Sequence, residues 1–179
     1  MATTKLGIYN QAASHLKLSA LATLTEDVEY RYVFDTWYDH ALAVGLEAGF
    51  WKFAIRTVKI EKDASIVPAF GHPDVFNKPD DWVKTYQVSA SEFMTPPLDD
   101  WIEEANCFFA SVAPLYLRYV STGATGYGMD LSRWTARYVK ALAFELAARA
   151  APKVMGASDN ALKGLQGDAR IARSEALSF

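Results

Sequence analysis

Histidines and clustered carboxylates are the residues here whose types could carry proton-transfer, nucleophilic or metal chemistry. His15, His40 and His72 are far apart in sequence, and none sits in an H-x-x-x-H or H-E-x-x-H spacing that would put two ligands on one helical face. Asp39-His40 has the composition of a base and its orienter, but on a polar helical face such a neighbour pair is ordinarily solvated. The doublets Asp99-Asp100 and Glu103-Glu104 invite a glycosidase reading, in which two carboxylates about 5 to 10 Å apart act as acid and nucleophile or base. Adjacent residues on a strand point opposite ways, and on a turn they face water. The stretch "GATGYG" lacks the Lys of a phosphate loop, so a hinge is the better reading. There is no G-x-S-x-G. The lone Cys107 rules out an internal disulfide or a thiolate zinc cluster, and its apolar surroundings suit core filler. No catalytic, cofactor-binding or metal-binding constellation is therefore expected.

The elements that position these residues follow from composition and period. A chain of 179 residues can bury about 70% of its unfolded surface, and 51% hydrophobic against 22% charged residues leaves no case for disorder. A formal net charge of -3 without a Lys/Arg block argues against tight nucleic-acid binding by counterion release. With no apolar leader at the N-terminus and no run of 18 apolar residues, the expectation is a soluble intracellular product.

Leu6, Ile8 or Tyr9, Ala13 and Leu16 predict a short helix over residues 3–18. Thr23 with Glu26, or Thr25 before Glu26 and Asp27, predicts an N-cap for a long helix over 26–46, whose stripe is Tyr30, Val33, Phe34, Trp37, Ala41 and Val44. Alternation then takes over at 53–60 and 81–93, with Trp82, Tyr86, Val88 and Ala90 on one face. Further short strands are expected at 101–110 and 114–121. Asp130 is placed to cap an Ala-rich helix stopped by Pro152, and Ser158 or Asp159 to cap a last helix carrying Leu162, Leu165, Ala169, Ala172 and Ala176. The predicted fold class is α+β: a four-helix bundle formed by N- and C-terminal helix pairs (1–49 and 122–179), with a small, roughly four-stranded antiparallel sheet as an insert at 50–121. Phe50, Trp51 and Phe53, at the change of period, are expected to plug the corner between the two lobes.

The order "LGIYNQAASHLKL", "SALATLTED", "LEAGFWKFA", "LYLRYVS", "ALAFELAARAA" resembles the head-to-tail adaptor proteins of tailed bacteriophages, more narrowly the tail tubular protein A group of short-tailed phages. Leu46, Trp51, Phe53 and Ala54 match the family's exit from the long helix. Leu117, Arg118, Tyr119 and Val120 match its strand, and Leu142, Ala143, Leu146, Ala147 and Ala148 its Ala-rich helix. Pro79, Asp80 and Asp81 fall earlier than the family's corresponding Pro-Asp element. The resemblance implies a non-enzymatic structural role in the virion, at the junction of head and tail, assembled in the host cytoplasm. It implies a homo-oligomeric ring, typically of twelve copies, bound to the portal protein, extending the DNA channel and offering a platform to the tail nozzle or other tail proteins. DNA would pass through the lumen without specific binding. Twelve copies at -3 each sum to about -36, a field that repels DNA. The resemblance places portal docking in the C-terminal segment, where Lys163, Arg170, Arg173 and Phe179 are the candidates. For other partners the candidates are Phe76, Trp82, Phe93, Met94 and Trp101, aromatics and Met among turn residues. Two other classes remain open: a phage-associated cell-wall hydrolase using Glu103 or Glu104 with a second carboxylate, and a monomeric helical binding module with an internal pocket.

Overall fold

The computed structural model describes residues 3–69, 71–156 and 159–177. The chain divides into two compact units, Met1–Gly49 with Asp130–Phe179, and Phe50–Met129.

The first unit is helical. Helix α1 (Lys5–His15) is capped by Thr4, whose hydroxyl accepts from the Gly7 amide at 3.1 Å. It ends where Lys17 turns left-handed (φ 58°) and the Leu18 amide returns to the Ala13 carbonyl at 2.9 Å, closing off orphan carbonyls. Helix α2 (Glu29–Ala48) starts three residues later than the caps predict, on Val28, with no side-chain cap. Glu26 is already used: its carboxylate accepts from the Ala22 amide at 2.7 Å and its carbonyl from Arg31 Nε at 2.9 Å. Asp130 caps a single 3-10 turn, Leu131–Arg133, and Thr135 caps α3 (Ala136–Met155). Pro152 does not stop α3. A proline in the last turn forgoes one backbone bond, and the helix runs on to a left-handed Gly156 (φ 53°). Helix α4 (Asp159–Leu177) follows. Of its two predicted caps, Ser158 and the Asp159 side chain lie outside what is described.

The predicted four-helix bundle of two helix pairs is overturned. The prediction had two helix pairs packing on one another, but α3 buries Tyr138, Leu142, Ala143, Leu146, Ala147, Ala150 and Ala151, which spread around its circumference. α1, α2 and α4 all pack against it. α1 and α2 meet through the rings of Tyr9, Phe34 and Tyr38, not by close backbone approach. Small Ala side chains let neighbours in on several sides, so the unit has a hub instead of two interlocking pairs.

The single small sheet is also corrected, because the second unit holds two three-stranded antiparallel sheets. One runs β1 (Ile55–Ile60), β6 (Leu115–Ser121), β3 (Trp82–Ser89); the other runs β2 (Asp74–Asn77), β5 (Cys107–Ala110), β4 (Trp101–Glu104). Residues 101–110, predicted as one strand, form the β4–β5 hairpin, turning at Ala105 (φ 46°). β2 lies in a segment whose Pro and Gly density predicts loop. The core combines residues of both sheets: Phe76, Val88, Phe108, Ala110, Leu115, Leu117 and Tyr119. β3 pairs with β6 through two register shifts, between Trp82 and Lys84 and between Thr85 and Gln87. These bulges interrupt strict alternation, so Val88 is buried while Tyr86, predicted on the same face, is half exposed.

Candidate functional site

The predicted site residues scatter, and several change role. Phe76 and Met94 are core residues, at 0% and 4% exposure, which corrects their assignment as surface contacts. Phe76 sits on β2 opposite Phe108, and Met94 is tucked under its own loop. Trp82 and Trp101 are half-buried and pack their rings on Phe108 at 6.5 and 5.8 Å. Phe93 alone of that set is fully presented, at 79% exposure. Of the expected plug, Trp51 is buried and stacks on half-buried Phe53 at 6.0 Å. Phe50 instead stands half exposed, edge-on to Tyr86 at 5.0 Å with Lys84 Nζ over its ring at 4.1 Å, because the bulged β3 offers it an aromatic surface. Lys163 and Arg170 are exposed on α4, Arg173 is half-buried, and Phe179 lies outside the described residues.

The loop carrying Phe93 is tightly braced. Gln87 Nε2 donates to the Met94 carbonyl at 2.5 Å, and Ser89 Oγ donates to the Pro96 carbonyl at 2.8 Å and accepts from the Ser91 amide at 3.0 Å. Ser91 Oγ in turn accepts from the Phe93 amide at 3.2 Å. With Met94 as the apolar anchor, the backbone that carries Phe93 is fixed while its ring faces water.

The groups that could do chemistry are occupied structurally. Glu103 accepts from Lys78 Nζ at 2.9 Å and from Thr85 Oγ1 at 2.8 Å, and that buried ammonium lies over the Trp82 ring at 3.8 Å. Glu103 therefore ties β4 to Thr85 of β3 and to Lys78 just past β2, which leaves it poorly placed as a general acid. His72 Nδ1 meets Ser111 Oγ at 2.9 Å, and its Nε2 is 3.5 Å from Asp100. This has the residue types of a triad, but the Asp100 side chain is 84% exposed, so water screens the carboxylate that would orient the ring. His15 stacks on Phe144 at 3.7 Å, and burial pushes its pKa down. His40 packs edge-on to Trp37. Cys107 is half-buried, its thiol 3.6 Å from Asn77. Among the described residues no group of three or more His, Cys, Asp or Glu could hold a metal ion, and no helix is long and apolar enough to cross a membrane.

Sequence reasoning missed the most connected polar residue, Asp81. Its carboxylate accepts from Arg56 NH1 at 2.8 Å, from the Tyr119 hydroxyl at 2.7 Å and from Ser121 Oγ, while its carbonyl accepts from the Thr122 amide at 2.7 Å. Burial raises the Asp81 pKa, but the three donors outweigh it and hold the carboxyl below its ordinary value. At Tyr119 burial and the Asp81 carboxylate act in the same sense, pushing that phenol up. Asp81 thus locks β1 and the end of β6 to the start of β3. The available signal was the alternation that aims Arg56 and Tyr119 at the same side of two paired strands.

A second such station is Asp35 in the helical unit, which accepts from Tyr9 at 2.7 Å and Arg31 at 2.8 Å, with Lys5 Nζ at 3.5 Å. The third, Glu145 on α3, is shared by Arg149 and Arg173. No family model matches the chain, and no curated protein matches it.

Proposed function

We propose that the protein is a structural adaptor that joins the portal of a tailed bacteriophage to its tail, working as a ring and by contact instead of by catalysis. The order of motifs along the chain suggests the class. The observation that carries the contact reading is Phe93: a large apolar side chain, 79% exposed, on a loop braced by four hydrogen bonds and a buried Met. Exposing an aromatic ring is unfavourable for an isolated chain, and bracing the loop backbone reduces the loop-ordering entropy that binding would otherwise cost. Both features suit an anchor that inserts into a partner's pocket. Half-exposed Phe50 and Tyr86 on the same unit add apolar surface of the same kind.

The test is cosedimentation of the purified chain with the portal ring encoded beside it. Stoichiometric binding is expected. In the assembled adaptor-portal-tail complex, Phe93→Ser is expected to lose about 2 kcal/mol or more of association with whichever neighbour Phe93 contacts, with unchanged unfolding of the free chain. Absence of binding to portal or to packaged heads would defeat the proposal.

A further inference from the structure

A groove of about 580 Å³ lies between α3 and α4, with one wall supplied by Val44 of α2. Its charge is lopsided: Arg149, Arg170 and Arg173 face one carboxylate, Glu145. That carboxylate is used from both sides. Arg149 donates to Oε1 through Nε at 2.9 Å and its terminal nitrogen at 2.8 Å, and Arg173 donates to Oε2 at 2.8 Å. The face of Arg149 lies against the Trp37 ring, 5.2 Å from its centroid, so the guanidinium is held by both charge and stacking. Arg170, one turn before Arg173 on α4, is exposed and has no carboxylate partner among the described residues. Three cations against one anion, in a chain of net charge -3, make the groove locally positive.

Apart from Gln166 the rest of the lining is apolar, including Ala148 and Leu162. The volume is within the range of ligand clefts, about 300 to 1,000 Å³, and far beyond what an inorganic oxyanion fills. We propose that the groove binds an acidic amphipathic segment of a partner polypeptide. Its apolar residues would lie on Ala148 and Leu162, and its carboxylates on the free N–H donors of Arg170 and Arg173. Guanidinium forks recognise carboxylates in a bidentate manner, and a groove between helices accommodates a third, short helix. The inference is drawn from the groove and not from Phe93, which belongs to the other unit; Arg170 and Arg173 are also the residues the adaptor resemblance offers for portal docking, and a synthetic peptide tests the groove without the portal.

The experiment uses the full chain and a fluorescein-labelled synthetic amphipathic helix with Leu on one face and Glu on the other, followed by anisotropy. Binding is expected, weakening with salt, and falling by about tenfold or more in Arg170→Glu. The charge-matched control Lys52→Glu, in the strand-bearing unit, should bind as wild type. Arg170 is exposed and has no carboxylate partner among the described residues, so Arg170→Glu and the milder Arg170→Ala should both keep wild-type circular dichroism. The proposal is overturned if the peptide does not bind, if its Gln-for-Glu counterpart binds equally, or if Arg170→Glu binds like wild type. Full displacement by millimolar inorganic phosphate would also overturn it, because the groove would then be a simple phosphate site.

Discussion

Gly45 lies inside α2, where glycine costs helix stability, and the structure shows what keeps it there. A Cβ built at this position would meet the Tyr138 hydroxyl oxygen at 2.9 Å, with ring carbons Cε2 and Cζ at 3.4 and 3.5 Å. Tyr138 is 2% exposed on the hub helix, so the ring cannot swing into water to make room. Gly45→Ala therefore combines two terms of opposite sign. Helix propensity favours Ala by about 1 kcal/mol. Overpacking a buried contact costs about 1 to 3 kcal/mol. The packing term should win, leaving Gly45→Ala about 1 kcal/mol less stable than wild type. Removing the oxygen reverses the balance, because ring carbons at 3.4 and 3.5 Å are ordinary contacts. In a Tyr138→Phe background the same Gly45→Ala change should stabilise by about 1 kcal/mol, giving a coupling of about 2 kcal/mol between the two sites. Urea denaturation of the four proteins, with unchanged m-values, reads this directly. If Gly45→Ala stabilises wild type, or the two changes add within about 0.5 kcal/mol, the close approach of α2 to Tyr138 is not what selects glycine.

Two further substitutions test the strand-bearing unit. Trp51→Ala should cost about 3 to 5 kcal/mol in denaturant melts, since the ring is 7% exposed, whereas Phe50→Ala should cost under about 1 kcal/mol, since half of that side chain already faces water. Equal losses would mean that the two rings share one core. Asp81→Asn should cost about 2 to 3 kcal/mol at neutral pH by weakening three hydrogen bonds, one of them to Arg56. The folded carboxyl titrates below its unfolded value of about 3.9, so its contribution is complete above that pH and is lost as pH falls through the folded pKa. The stability gap between wild type and Asp81→Asn should accordingly narrow in acid. A gap that holds constant down to pH 2 would show that the charge of Asp81 contributes nothing.

How much was legible in the sequence depended on whether a local pattern had a single meaning. The helical stripe Ala169, Ala172, Ala176 marks the face that α4 buries, because small residues at spacings of three and four admit no other element. In α3 the small residues say helix but not how many neighbours it has: it is a helix surrounded, which only the positions of α1, α2 and α4 reveal. Alternation through residues 101–110 has no gap where the chain reverses, since the turn uses Ala105 and Asn106 instead of glycine. Phe76 and Met94 stand among prolines, and nothing local signals that Phe76 pairs with Phe108 or that Met94 is buried within an exposed loop. Arg173 was legible as a favourable charge near the end of α4, but its partner Glu145 is 28 residues away on another helix.

The distribution of satisfied and unsatisfied groups separates folding from recognition. Asp81, Glu103, Asp35 and Glu145 each close their hydrogen bonds inside their own unit, so substituting them should register as lost stability. Phe93 and Arg170 contribute little to the core: one is an apolar ring facing water on a braced loop, the other an exposed cation lining the same groove as an already shared carboxylate. A fold gains nothing by bracing a ring outward or by adding a third guanidinium to one glutamate, since each leaves an interaction unmade. Under the two proposals another surface completes each arrangement, and the two differ in chemistry, one apolar and one ionic. High salt should therefore weaken association through Arg170 and leave association through Phe93 intact. A single salt titration of each variant's binding distinguishes two surfaces from one.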